Sequence, residues 1–166
     1  MRHIKTYKLY EYVADEAKLK LMPELPNVWY HGTNKDFNKF SKYNIGTNWE
    51  QSILGIYFSQ HMNPPPYGST AGEYARDAKM NKGGDAIVYE VKLNFKNPLI
   101  IDSDGWYSSN LAIDKQRNDI KRWLTSNKEY DAVIAYNSAE TDIRDQDFIT
   151  VVQDPSIIEI IRKHKV

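Results

Sequence analysis

The chain has 166 residues and a mass of 19.3 kDa, the size of one ordinary domain. Lys and Arg number 22 and Asp and Glu number 22, so the formal net charge is zero. That excludes a strongly basic nucleic-acid binder, an acidic tail and a polybasic membrane anchor, but not a local basic patch. There is no cysteine, which removes disulfides, thiolate metal sites, cysteine nucleophiles and thiol switches, and the 12 Tyr, 5 Phe and 4 Trp pose the question of whether some rings serve a ligand.

The first twenty residues hold no apolar core of a signal peptide, and no run is long enough to span a bilayer. With a mean hydropathy of −0.66, the expectation is a soluble cytoplasmic protein without a membrane partner. Residues 1–166 read as one domain, with an N-terminal helical segment over 1–27 and a core over 28–161. Apolar positions at Leu9, Tyr12, Val13, Ala17 and Leu21 predict an amphipathic helix, which Pro23 and Pro26 end.

Val28-Trp29-Tyr30 predicts a short strand running into His31-Gly32-Thr33. The stretch from Asn34 to Ser52 is polar and loop-like. Gly55-Ile56-Tyr57-Phe58-Ser59 predicts a second strand. Ser69 or Thr70 can cap a helix carrying Tyr74, Ala75 and Ala78, with Glu73 near its start and Gly83-Gly84 at its end. Strands follow at Ala86–Leu93 and Pro98–Asp102, then a helix over Leu111–Thr125 and strands at Ala132–Tyr136 and Phe148–Val152. Pro155–Ile161 reads as a turn and strand. There is no regular alternation of strand and helix and no Gly-rich phosphate loop, which points to an α+β fold.

Four histidines occur: His3, His31, His61 and His164. No HExxH, HxH or close His/carboxylate cluster is present, so no metal is expected. Asp102-Ser103-Asp104-Gly105 lacks the downstream ligands of a calcium loop. His3 and His164 lie near the ends of the chain, where order is least expected. His31 stands at the end of an apolar strand. Gly32 beside it allows close backbone approach. Each piece has a plain structural reading: a half-buried histidine in a turn, an aromatic strand at Tyr57, a core tyrosine at Tyr74, a solvated strand end at Asp147.

In order along the chain, the pieces are more specific. A His-Gly-Thr strand end, a GIYFS strand, a helix bearing a tyrosine, and a late strand preceded by an acid together resemble the ADP-ribosyltransferase superfamily. The resemblance is to its poly(ADP-ribose) polymerase-like and diphtheria-toxin-like branch, in the small phage and bacterial type. The segments VYEVKLNFKNPLIID (Val88 to Asp102), YDAVIAY (Tyr130 to Tyr136) and VVQDPSII (Val151 to Ile158) extend it over roughly Trp29 to Ile161.

That resemblance implies a split, mainly antiparallel β-sandwich with helices in its N-terminal and middle parts. It implies NAD as the substrate, held by His31, Gly32, Thr33, Tyr57, Ser59 and Tyr74. His31 would bond a ribose, Gly32 the nicotinamide carboxamide, and Tyr57 and Tyr74 the two faces of the nicotinamide ring. Flat cationic rings suit such aromatic faces. The catalytic set would be His31, Tyr57 and an acid that favours a developing positive charge. Alignment on Asp154-Pro155 puts Ile149 in the acid's place. Alignment on the apolar strand puts Asp147 there, which is preferred because isoleucine has no charge to offer. Glu140, Asp142, Asp145 and Gln146 are nearby alternatives.

The short or absent acid points to transfer of a single ADP-ribose, to a protein or nucleic-acid acceptor, in a toxin or phage–host conflict effector. Such an effector would have an antitoxin or inhibitor protein as a further partner. Two other readings share the pocket: an NAD glycohydrolase, and a catalytically inactive module that binds ADP-ribose or a partner. Lys35, Lys39 and Lys42 follow His31 and read as a solvated loop, with attraction for a pyrophosphate or a nucleic acid as the functional alternative.

Overall fold

Seven strands carry the architecture of the computed structural model, which describes residues 24–44, 55–63, 70–102, 129–136 and 148–166. They are β1 (Trp29–Thr33), β2 (Ile56–Ser59), β3 (Ile87–Leu93), β4 (Pro98–Asp102), β5 (Ala132–Tyr136), β6 (Phe148–Val152) and β7 (Ile158–Lys165). One described helix, α1 (Ala71–Lys82), lies between β2 and β3. The sheet order is β4-β5-β6-β2-β1-β3-β7, antiparallel throughout except for the β4–β5 pair. This is the expected α+β fold. The expected helices over Leu9–Leu21 and Leu111–Thr125 lie outside the described residues, as does Asp147.

The sheet is nearly cut in two. β1 runs beside β3 from Trp29 opposite Val91 to Thr33 opposite Ile87. It meets β2 at one position, Tyr30 opposite Ser59. β2 in turn pairs with β6 along its whole length, from Ile56 opposite Val152 to Ser59 opposite Ile149. One half is therefore β1-β3-β7 and the other β2-β6-β5-β4. Between them β1 and β2 part after a single pair, and this is the form that the split takes here.

Alternation along the strands sorts side chains to two faces. Trp29, His31 and Thr33 share a face with Ile87, Tyr89 and Val91 opposite them. That face builds the main core, in which Trp29, Phe58, Tyr89, Ile134, Phe148 and Val152 are closed off from solvent. Phe95 and Phe148 meet Trp29 edge-on at 6.1 and 6.5 Å, a geometry that aromatic quadrupoles favour. The other face carries Tyr30, Gly32, Val88 and Glu90 on β1 and β3, and Tyr57 and Ser59 on β2.

α1 covers this second face. Ala71, Ala75 and Ala78 recur at helical spacing and are buried, so small side chains let the helix lie close to the sheet. Thr70 is its N-cap residue, and Glu73 reaches back to accept the Thr70 N–H at 3.1 Å. Gly83 ends it with φ +72° and donates to the Lys79 carbonyl at 2.8 Å.

Two local expectations shift. β1 continues through His31, Gly32 and Thr33 instead of stopping at Tyr30, because all five residues have partners on β3. Near the other end, a short 3-10 turn (Pro155–Ile157) is capped by Asp154, which accepts the Ser156 N–H at 3.1 Å and whose carboxyl is held below the usual range by that bond. β7 then runs on to Lys165, with an irregularity where Arg162 faces Glu90 and Ile160 faces Val91. His164 is thus an ordered strand residue, opposite Val88 and 2.7 Å from the Glu90 carboxylate, rather than part of a loose end.

Candidate active site

His31 is placed by β1 on the core face, yet it reaches into the split. Its Nδ1 lies 2.8 Å from the carbonyl oxygen of Tyr57 on β2. A carbonyl only accepts, so Nδ1 carries the proton. Burial lowers the His31 pKa, and the Tyr57 hydrogen bond opposes that only in part. The ring is therefore neutral at neutral pH, with its lone pair on Nε2. Phe40 and Phe58 wedge the ring at centroid distances of 5.3 and 5.5 Å. The side chain stands where ladder bonds between β1 and β2 have ceased.

The loop after β1 is pinned down behind His31. Phe37 stacks on Tyr89 at 4.3 Å and 9°. The Tyr89 hydroxyl accepts the Phe37 N–H at 2.7 Å and lies 2.9 Å from the Phe37 carbonyl. Lys163 on β7 donates to Asp36 at 2.6 Å and to Asn38 at 2.9 Å. That contact holds the Asp36 carboxyl below its ordinary value. Asn34 donates to the Gly83 carbonyl at 2.9 Å, which ties the same loop to the end of α1. Lys35, Lys39 and Lys42 project outward from this anchored loop.

Gly32 faces α1. A Cβ at this position would lie 1.8 Å from the Ala71 carbonyl oxygen and 2.8 Å from the Ala75 nitrogen. The close approach that glycine allows is made on that side by the protein's own helix. Tyr57 and Ser59 share the face on which α1 lies, and Tyr57 is half-buried. Tyr74, on α1, is 37% exposed. It precedes Ala75 and so flanks the buried stripe instead of belonging to it, which is how a helix can offer a ring to a ligand.

The expected residues thus meet the split from two sides. His31 enters from the core face, and Tyr57 and Ser59 lie on the helix-covered face with Gly32 and α1. Thr33 is buried at 3% exposure, and its hydroxyl accepts the Lys35 N–H at 3.3 Å, so it serves the turn. The Ser59 hydroxyl donates to the His61 carbonyl at 2.6 Å. Ile149 sits on β6 opposite Ser59, on the same face, and is 7% exposed. Glu140, Asp142, Asp145, Gln146 and Asp147 lie outside the described residues. Ser59 is adjoined by Gln60, to which the sequence reading gave no part, and by His61, named there only as one of the four histidines. No helix among the described residues is long and apolar enough to cross a membrane, and none of their His, Asp and Glu side chains form a group of three that could hold a metal ion.

A split sheet with a histidine across the split, a tyrosine on the next strand and a helix over one face is the plan of an ADP-ribosyltransferase. The family model described as "ADP-Ribosyltransferase in polyvalent proteins" matches residues 25–163. The chain belongs to that family. Neither the curated proteins nor the solved structures contain a match.

Proposed function

We propose that the protein transfers a single ADP-ribose from NAD to a macromolecular acceptor, a protein or a nucleic acid. The observation that carries this reading is the neutral imidazole of His31 lodged across the split, with its proton spent on the Tyr57 carbonyl. A ring so held offers Nε2 as a fixed acceptor, which fits a ribose hydroxyl. Bound NAD would supply the ADP-ribosyl group and a nicotinamide leaving group.

This chain's own residues would do the rest. His31 would orient the ribose. Tyr57, and Tyr74 on the flank of α1, would offer aromatic faces to the nicotinamide ring. Asp147 would place negative charge beside the carbon from which nicotinamide departs. Ile149, two residues on in the sequence, has no charge to offer. A short carboxylate in that place favours one transfer over chain extension. A toxin or conflict effector restrained by an inhibitor protein is the setting we propose, from the resemblance of its motifs to small phage and bacterial transferases.

Labelled NAD incubated with cell extract tests the reading. Wild type is expected to label a macromolecule, and His31→Ala, Tyr57→Ala and Asp147→Ala to label none. Release of free ADP-ribose without a labelled acceptor would make it a glycohydrolase. No consumption of NAD would leave a binding module.

A further inference from the structure

Phe40 lies seven residues past the end of β1, yet its ring returns to that strand. Its centroid is 5.3 Å from that of His31 on β1, 5.5 Å from that of Phe58 on β2 and 5.5 Å from that of Tyr89 on β3. The ring is 5% exposed. It therefore touches both half-sheets where the backbone no longer joins them. The one pair between β1 and β2 is Tyr30 with Ser59, and a ladder carried one step further would set His31 opposite Phe58. Phe40 packs on both members of that unmade pair.

The loop that carries the ring sets its position. Phe37 stacks on Tyr89 and meets Phe40 edge-on at 4.9 Å. From β7, Lys163 holds Asp36 and Asn38. The loop thus rests on β3 and β7, and of residues 34–43 Phe40 is the buried one. A polar stretch has been given one large apolar side chain, and that side chain is laid against the split.

A neutral imidazole in water prefers its proton on Nε2. His31 is held in the other form: Nδ1 donates to the Tyr57 carbonyl at 2.8 Å, and Nε2 keeps the lone pair. Water at this contact would compete for both the Nδ1–H and the carbonyl, and the net preference for their bond would fade. Phe40 and Phe58 are hydrocarbon, flank the imidazole and offer it no hydrogen bond of their own. We propose that Phe40 is a positioning residue: by closing the split over His31 it keeps the imidazole on the Tyr57 carbonyl, with Nε2 turned to accept from the ribose. This inference rests on the function proposed above, which gives Nε2 that task.

Phe40→Leu tests it, beside Ile157→Val as a control. Leucine keeps most of the apolar volume but not the flat ring that spans the split. Ile157 is also buried, but beyond the far end of β3, where its carbonyl accepts the Asn94 N–H at 2.9 Å. Both variants should lower the melting temperature. Ring-nitrogen NMR shifts of His31 at neutral pH separate them. Wild type and Ile157→Val should show the Nδ1–H tautomer, and Phe40→Leu a mixture with the Nε2–H form. The affinity for NAD should fall by roughly 3- to 10-fold in Phe40→Leu and stay within about twofold of wild type in Ile157→Val. The wild-type spectrum decides without any variant, since an Nε2–H tautomer there overturns the role. A Phe40→Leu variant that keeps either the wild-type tautomer or the wild-type affinity, or an Ile157→Val variant that loses the tautomer equally, overturns the positioning role and leaves the proposed function in place. A wild type that binds no NAD overturns the proposed function and the positioning role with it.

Discussion

Nδ1 of His31 and the carbonyl oxygen of Tyr57 lie 2.8 Å apart, across the gap where two neighbouring strands have stopped pairing. A side chain does there what the backbone does elsewhere in the sheet. The bond fixes the tautomer, and the tautomer leaves one nitrogen free to accept. Positioning and chemistry are set by the same contact.

The two functions of that ring separate by mutation. Asparagine can place its amide nitrogen near the position of Nδ1 but has nothing at the position of Nε2. His31→Asn is therefore expected to keep the Tyr57 bond and the fold, and to weaken NAD binding by roughly 10- to 100-fold, the 1.4–2.8 kcal/mol range of a hydrogen bond lost to a buried site. Calorimetric titration with NAD beside a thermal melt checks this. Wild-type affinity in the variant would sink the role of Nε2.

The same residue gives stability a pH dependence. The folded pKa of His31 lies below its unfolded value of 6.5 because burial disfavours the charged ring. As the pH falls below 6.5, the unfolded chain takes up a proton that the folded chain refuses, so stability declines. Asp36, Asp85 and Asp154 have carboxyls depressed from 3.8, so their contributions are lost only at lower pH. Urea unfolding between pH 7.5 and 5.5 should show a falling midpoint in wild type and a flatter one in His31→Asn. Equal slopes would assign the effect elsewhere.

Gly32→Ala should push α1 off the sheet. The new methyl meets backbone atoms of Ala71 and Ala75, which do not swing aside as a side chain would. Overpacking of this kind costs about 3 kcal/mol. At about 2–4 °C per kcal/mol for a chain of this size, the melting temperature should drop by roughly 6–12 °C. A drop under about 2 °C would show that the helix can shift cheaply.

Thr150→Val is expected to stabilise. Thr150 is wholly buried on β6 between Phe58 and Ile134, and its hydroxyl has no hydrogen-bond partner among the described residues. Valine keeps the shape and removes an unpaid polar group. The gain should be about 1 kcal/mol, read as a higher denaturation midpoint. A loss of that size would reveal a partner for the hydroxyl.

Much of this was legible in the chain. Short apolar runs marked β2, β5 and β6, partial alternation marked β3, and Thr70, Glu73 and the Gly83-Gly84 pair bounded α1, because capping and strand patterning are local rules. The His-Gly-Thr and GIYFS segments pointed to the residues that flank the split. What local rules could not supply was register. Only the packing of α1 against β1 shows why Gly32 must be glycine, and only the register of β2 with β6 brings Gln60 to Phe148. His164 looked like a loose end because its partner, Glu90, lies 74 residues away. Gln60 carried no signal at all, since a lone glutamine after a serine reads as the first residue of a loop.

The two half-sheets are interleaved along the chain. One is assembled from residues 29–33, 87–93 and 158–165, the other from 56–59, 98–102, 132–136 and 148–152. Neither half occupies a continuous stretch that could be cut out or grow by itself. On the ribosome, β1 and β3 emerge early, yet β3 keeps an open edge until β7 has been made. Long-range pairings of this kind are slow to form. His31 sits in the half whose outermost strand, β7, is made last, so that half is complete only once residues 158–165 have been synthesised.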